Sequence, residues 1–210
     1  MNGRIQKDPL FLITPETAKI EIGGESVEQQ TFRAILLNKP RGVITTRSDE
    51  KGRPTVYTLL TDVTTYLSPV GRLDWATSGL LILTNSTRLA SWLTDPRNQV
   101  IRTYVVTVRG EVTDKGIQSL EAGFDDEGET LQAHQVILRK VSAKESHLTV
   151  QLTEGKNREI RRMFKSLGHE VTRLKRISYG GLELGELESG KYRELTLDEI
   201  RTAFPQAPIH

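Results

Sequence analysis

An α+β fold with more strand than helix is what this sequence predicts, and three observations predict it. Short β-branched or alternating apolar runs recur along the chain, only three segments carry helical periodicity with recognisable ends, and 210 residues at 36% apolar content are enough for a sizeable core. Residues 1–28 alternate short apolar runs with turns: Phe11-Leu12-Ile13, then Ala18-Lys19-Ile20-Glu21-Ile22, then Gly23-Gly24. They predict a small β-rich piece, and the polar residues 25–30 read as a linker. Ala34-Ile35-Leu36-Leu37 is a compact buried strand stopped by Pro40. Residues 71–79 form a loop with a glycine at each end, running into the apolar Leu80-Leu81-Ile82-Leu83. A helix over residues 88–93 stops ahead of Pro96, and Tyr104-Val105-Val106-Thr107-Val108 is β-branched enough for a strand. A second helix spans residues 113 to about 122 and stops at Gly123; the acidic Asp125-Asp126-Glu127-Gly128 then reads as a solvated loop. His147-Leu148-Thr149-Val150-Gln151-Leu152 alternates as a strand does. The third helix, residues 157–167, is the best defined. Asn157 is available as N-cap, Ile160, Met163, Phe164 and Leu167 fall at i, i+3, i+4 and i+7, and Gly168 closes the end.

Composition narrows the function. With no cysteine, a disulfide framework, a cysteine metal site and a cysteine nucleophile are all impossible. His134, His147, His169 and His210 show no ligand spacing, so no metal is expected. No apolar run approaches the roughly 18 residues of a membrane span, and Phe11-Leu12-Ile13 is too short for a signal-peptide core. The simplest expectation is a cytoplasmic protein, and a monomer, since no heptad pattern or long apolar edge is evident. Net charge is only +2, but it is unevenly spread. Residues 155–176 hold eight basic against two acidic side chains, a net +6, which leaves −4 for the rest of the chain. A basic segment on an acidic body is the electrostatic footprint of a phosphate-backbone contact.

The third helix shows how that contact can be made. With its apolar stripe buried, Arg158, Arg162 and Lys165 lie toward the exposed side, placed to follow an RNA backbone or, more blandly, to solubilise the face. Arg161 flanks the stripe, which predicts a half-buried role.

The loop from Gly71 to Gly79 is the most informative stretch. It hangs a single carboxylate, Asp74, between glycines, with Arg72 two positions earlier placed to pair with it. Taken alone, Gly71-Arg72-Leu73-Asp74 is a polar turn with a surface ion pair. Followed by Thr77-Ser78-Gly79-Leu80-Leu81 and Leu83-Thr84-Asn85, it resembles the catalytic motif of RNA pseudouridine synthases, specifically the RsuA/RluB/RluE/RluF branch. Leu37-Asn38-Lys39-Pro40-Arg41-Gly42-Val43 resembles that branch's first motif, Arg102-Thr103-Tyr104-Val105-Val106 its tyrosine motif, and Gly155-Lys156-Asn157-Arg158-Glu159-Ile160-Arg161-Arg162-Met163 its third. Four segments in the family's order carry far more weight than one. Met1-Asn2-Gly3-Arg4 and Ile20-Glu21-Ile22-Gly23-Gly24 resemble the second half of an S4 RNA-binding domain, whose helical first half would precede Met1.

The resemblance implies a mixed, mainly antiparallel sheet with flanking helices over residues 32–205, preceded by a partial S4-like segment at 1–28. It implies that uracil N1 is detached from C1′ of its ribose, the base is turned, and C5 is joined in its place. No atoms are gained or lost, so no cofactor is needed. Asp74 is the implied catalytic carboxylate, as nucleophile at C1′ or as base toward the C2′ proton. Arg161 matches the family arginine that pairs with this aspartate and is preferred to Arg72 as its partner. Tyr104 matches the tyrosine that stacks on the target base, although a core role suits a strand aromatic equally well. Lys39, Arg41, Arg72, Lys156, Arg158 and Arg162 are the expected RNA contacts, and Ile160 the expected wall of the base pocket. Since a paired RNA buries its target, the uridine would be flipped out.

The expected partner is ribosomal RNA, with residues 156–177 slightly closer to large-subunit members; small-subunit RNA is the alternative. Ser86-Thr87 stands where the branch often has Asp-Gly, a change outside the catalytic loop. Two other readings compete. A glycosidase needs two carboxylates flanking the bond, and only Asp74 sits in such a motif. A non-catalytic RNA-binding assembly factor would use the same basic helix and tolerate Asp74→Asn.

Overall fold

The computed structural model describes Gly3 and residues 5–8, 11–12, 18–26 and 31–208. The chain divides into two compact units, Met1–Phe32 and Arg33–His210. In the first unit, β1 (Glu21–Ile22) and β2 (Glu25–Ser26) form an antiparallel hairpin. Gly23 and Gly24 make its turn with φ of +63° and +89°, so Glu25 and Ser26 belong to a strand rather than to the expected linker. Met1, Asn2, Arg4, Ile13 and residues 27–30, on which part of the S4-like reading and the linker rest, lie outside the described residues, as does His210.

The second unit is built on one nine-stranded sheet. In chain order its elements are β3 (Ala34–Lys39), β4 (Ser68–Pro69), β5 (Ser78–Thr84), α1 (Thr87–Thr94), β6 (Arg102–Arg109) and α2 (Asp114–Ala122). There follow β7 (Phe124–Asp126), β8 (Glu129–Leu131), β9 (Gln135–Val141), β10 (Glu145–Leu152) and α3 (Glu159–Ser166). Last come β11 (Val171–Tyr179), β12 (Leu182–Glu183), β13 (Tyr192–Glu194) and α4 (Leu197–Ala203). The strand order is β13-β3-β5-β11-β6-β10-β9, with β4 on β5 and β12 on β11. All pairings in this sheet are antiparallel except β5 with β11, which run parallel with Ser78 opposite Lys175 and Gly79 opposite Arg176. This is the mixed, mainly antiparallel sheet with flanking helices that the sequence leads one to expect.

Burial explains the apolar runs. β3 and β5 sit inside the sheet, so Ala34 to Leu37 and Leu80 to Leu83 are wholly buried instead of alternating. β10 alternates because one face packs on the core, through Leu148, Val150 and Leu152. Ser86 and Thr113 cap α1 and α2 by accepting from the backbone N–H groups of Leu89 and Gly116.

Two expectations change. The acidic Asp125-Asp126-Glu127-Gly128 is the tip of the β7–β8 hairpin, with Glu127 and Gly128 both at positive φ. α3 starts at Glu159, not at Asn157: Arg158 occupies the cap position in the left-handed region (φ 49°), without a side-chain cap bond. α4, unforeseen, is announced by a capping box in which Thr196 and Glu199 bond each other's backbone N–H groups.

Candidate active site

The Asp74 loop is clamped from one side. Thr45 Oγ1 both donates to the Leu73 carbonyl (2.9 Å) and accepts from the Leu73 N–H (3.2 Å), and Gly42 N–H donates to the Trp75 carbonyl (2.8 Å). Lys39 adds the strongest tie. Its side chain is fully buried, and Nζ donates to the carbonyls of Pro40 (3.0 Å), Asp74 (3.1 Å) and Thr77 (2.8 Å). Burial pushes this ammonium down to about 8, opposed by the charge of Asp74. Lys39 is therefore a scaffold for the loop and not the RNA contact expected of a turn lysine. Arg41, two residues on, is exposed.

Both glycines of the loop have the backbone they were expected to need, with φ of +69° at Gly71 and +105° at Gly79. Gly79 is also a close-approach site: a Cβ there would lie 2.1 Å from the backbone oxygen of Arg176. Only glycine lets β11 come this near β5.

Asp74 lines a cavity with Arg72, Arg102, Tyr104, Arg161, Leu174 and Arg176. The carboxylate meets two cations. Its Oδ2 is 3.6 Å from Nη1 of Arg158 and 4.0 Å from Nε of Arg161. Among the described residues these are the basic side chains within ion-pair distance of Asp74, so Arg72, which is exposed, does not take that role. Arg161 also donates to the carbonyls of Val171 (3.0 Å) and Ala76 (3.2 Å), joining β11 to the Asp74 loop. Its half-buried setting agrees with its place beside the apolar stripe. Burial pushes its guanidinium down from the usual value, the charge of Arg158 adds to this, and Asp74 opposes it. The backbone of Arg158 is itself in the left-handed region, which for a residue other than glycine costs about 1 kcal/mol or more.

Tyr104 is both core and cavity: only 7% exposed on β6, it packs with the central apolar cluster and lines the pocket. Ile160, 3% exposed, does the same from the first turn of α3. The basic cluster is less open than its charge suggests. Arg162 is paired with Asp126 and Glu129 (2.5 Å each), and Lys156 with Glu154 (2.5 Å) and the Thr130 carbonyl. These two, expected as RNA contacts, are occupied in tying α3 and the loop before it to their neighbours. Arg158, Lys165, Arg173 and Lys175 remain exposed.

Four cavity residues escaped sequence reading. Tyr179, 1% exposed, donates from its hydroxyl to the Leu93 carbonyl (2.7 Å), and the guanidinium carbons of Arg102 and Arg176 lie 4.8 and 4.9 Å from its ring centroid. Arg102 is buried, with Nη1 donating to the Val100 and Thr153 carbonyls and Nη2 to the Leu93 carbonyl and the Tyr179 hydroxyl. Glu159 is buried with Oε2 accepting from the Lys156 N–H (3.0 Å); burial, helped by the charge of Glu154, pushes its carboxyl up to about 7. The usable signal, for Arg176 alone, was alternation on β11, where Leu174 and Arg176 are buried between the exposed Arg173 and Lys175; Tyr179 falls out of that pattern because the register shifts after Arg176.

Among the described residues no group of three or more His, Asp or Glu side chains is placed to hold a metal ion, and no helix is long and apolar enough to cross a membrane. The arrangement offers one carboxylate between two guanidinium groups, an aromatic wall, and buried donors facing a cavity. Such a site can stabilise charge at a sugar carbon while a flat base lies against Tyr104.

Comparison with known proteins agrees with the geometry. The family described as RNA pseudouridylate synthase matches residues 33–166. The chain is 41% identical over 204 residues to ribosomal large subunit pseudouridine synthase B of Bacillus subtilis, covering 96% of this chain and 83% of that protein. It is 34% identical to an RNA pseudouridine synthase of Aquifex aeolicus, covering 97% and 82%. A crystal structure of a pseudouridylate synthase superposes with a TM-score of 0.71 at 29% identity, covering 95% of this chain and 86% of that one. The chain belongs to the RNA pseudouridylate synthase family and, by its motifs and relatives, to the RsuA/RluB type within it.

Proposed function

We propose that this isomerase converts a uridine of ribosomal RNA, in the large subunit, to pseudouridine, with Asp74 as its catalytic carboxylate. The observation that carries the assignment of Asp74 is its position: a backbone-clamped loop holds it 3.6 Å from Arg158 and 4.0 Å from Arg161, in the cavity that Tyr104 lines. The choice of large-subunit RNA is supported by the name of the Bacillus subtilis relative. In the reaction the N1–C1′ bond breaks, C5 bonds C1′, the C5 proton leaves and N1 gains one. Asp74 serves at the sugar, attacking C1′ or taking the C2′ proton. Arg161 and Arg158 pair with it, and Tyr104 and Ile160 bound the base. The exposed Arg41, Arg72, Arg158, Lys165, Arg173 and Lys175 supply phosphate contacts that offset the cost of flipping the nucleotide. Residues 32–205 carry the chemistry, and residues 1–28, as part of an S4-like segment, assist docking.

The test is primer-stop mapping of carbodiimide-treated ribosomal RNA from both subunits, unmodified at the start, after incubation with the protein or its Asp74→Asn variant. A new stop in large-subunit RNA with the unaltered protein alone is the expected result. A stop in small-subunit RNA would overturn the choice of subunit. RNA binding without a stop would favour a non-catalytic binder.

A further inference from the structure

Three side-chain polar atoms among the described residues are buried without a hydrogen-bond partner: Oε1 of Glu159, Nε of Arg161 and Nη2 of Arg176. All three residues line the same cavity. A buried polar atom left unpaired costs about 1–3 kcal/mol, so three in one place indicate a site whose missing partners come with the substrate. Arg161 has Asp74 beside it, and Glu159 is engaged through its other oxygen. Arg176 is the donor that remains. It is 3% exposed, its Nε donates to the Leu80 carbonyl (2.7 Å), and its guanidinium lies over the Tyr179 ring. Those contacts fix the group and leave Nη2 free. In the register of β6 and β11, Arg176 stands directly opposite Tyr104, so both side chains rise from the same face of the sheet.

The geometry points to Arg176 as the residue that reads the base: its Nη2 donates to O4 of the flipped uracil lying against Tyr104. The inference rests on the synthase reading of this cavity. A donor buried this deeply meets the base edge, because phosphates of the same strand stay near the mouth, where Arg72 and Arg158 are exposed. O4 is also where uracil and cytosine differ: uracil offers an acceptor and cytosine an amino donor, which would face the guanidinium with both sides unpaired.

The isomerisation makes this contact unusually useful. Turning uracil half a revolution about its N3–C6 axis brings C5 to the place of N1 and O2 to the place of O4. One fixed donor therefore holds O4 before the turn and O2 after it. Once the N1–C1′ electron pair stays with the base, the negative charge spreads onto both carbonyl oxygens. The bond to Arg176 strengthens as the detached base forms, so its contribution falls mainly on kcat.

The test is single-turnover pseudouridine formation on a large-subunit RNA fragment carrying uridine, 4-thiouridine or 2-thiouridine at the mapped position, with the unaltered protein and with Arg176→Met and Arg176→Gln. The unaltered protein should be slower on 4-thiouridine by roughly ten-fold or more, as expected for weakening one hydrogen bond to a charged donor. Arg176→Met should be slow on uridine and show no further loss with 4-thiouridine; Arg176→Gln, which keeps an N–H, should recover part of the rate. Equal rates for the unaltered protein on uridine and 4-thiouridine would overturn the inference and need no folded variant. So would a first-step sensitivity to 2-thiouridine in place of 4-thiouridine, or an Arg176→Met variant whose only change is weaker, less salt-dependent RNA binding. If the unaltered protein fails on uridine itself, it is the synthase reading that has failed.

Discussion

The ammonium of Lys39 donates to the backbone carbonyl of Asp74 at 3.1 Å while fully buried, so the residue whose carboxylate is proposed to be catalytic is held by its main chain. The same nitrogen holds Pro40 and Thr77, so three carbonyls depend on one cation. Lys39→Met keeps the volume and removes all three donors. It should destabilise the protein by about 1–3 kcal/mol, the cost of orphaned buried acceptors. The rate of pseudouridine formation should fall by about 10²-fold, the size of effect a small misplacement of a catalytic group produces. Denaturant unfolding and single-turnover assays measure the two. An undiminished rate would show that the loop holds its shape without the lysine.

Arg158 and Arg161 both approach Asp74, but their surroundings differ. The Arg158 side chain is 55% exposed, against 14% for Arg161, which also ties Val171 to Ala76. Solvent screens the exposed pair, so Arg158→Ala should leave stability within about 0.5 kcal/mol and cost roughly ten-fold or less in rate. Arg161→Ala should lower both stability and rate, by about 1–3 kcal/mol in the first. Arg161→Lys restores a charge without the paired carbonyl bonds and should recover only part of the rate. Thermal unfolding with kcat and KM for the three variants separates the roles; equal losses for Arg158→Ala and Arg161→Ala would remove the distinction.

What could be read from the chain before its fold was known follows a physical line. Asp74, Tyr104, Ile160 and Arg161 were singled out by motifs that resemble those of a known family, since taken alone they are an ordinary turn, a strand aromatic and two helix positions, and the fold gathers all four around one cavity. The strands carrying the core were equally plain, since apolar runs such as Leu80 to Leu83 need no partner to be recognised. Arg176 was hidden because its burial depends on parallel pairing with β5, almost a hundred residues away, and the one local sign, its alternation with exposed Lys175, is short and broken by the register shift that follows. Lys39 misled for the opposite reason. A lysine before Pro40 looks like a turn charge until the three carbonyls it serves are brought together. Arg162 and the acidic tip of the β7–β8 hairpin each looked solvated, and each is the other's partner.

Glu159 gives the protein a pH dependence whose sign can be worked out. Its carboxyl is raised to about 7 in the folded chain, from an ordinary value of 4.5. Between these values the folded protein binds a proton that the unfolded chain has released, so stability falls as pH rises through this window. Above about pH 7 a buried carboxylate with one unpaired oxygen faces Glu154, with the Lys156 N–H and ammonium as partial compensation. Glu159→Gln keeps an acceptor for the Lys156 N–H and carries no charge. It should stabilise the protein at pH 8, by on the order of 1 kcal/mol, and do little at pH 4.5. Urea unfolding at the two pH values is the check, and an equal effect at both would mean that Glu159 does not titrate in this range.

Gly71 and Gly79 frame the same loop and both have positive φ, yet their replacement should differ in cost. A Cβ at Gly71 would meet only Thr94 Cγ2 at 3.6 Å, an ordinary contact, so Gly71→Ala should cost about 1–2 kcal/mol for the left-handed backbone alone. At Gly79 the added carbon would sit 2.1 Å from the Arg176 oxygen and 2.8 Å from its nitrogen, both main-chain atoms that cannot turn aside. β5 and β11 would have to separate where they pair in parallel, displacing Arg176 from Tyr104 and the cavity. Gly79→Ala should therefore cost more than about 3 kcal/mol and, in whatever fraction still folds, abolish the extra loss of rate on 4-thiouridine. Denaturant unfolding of the two variants side by side, followed by the same single-turnover assay, measures both. A Gly79→Ala variant as stable as Gly71→Ala would mean that the close approach of these strands is not needed to hold the sheet together.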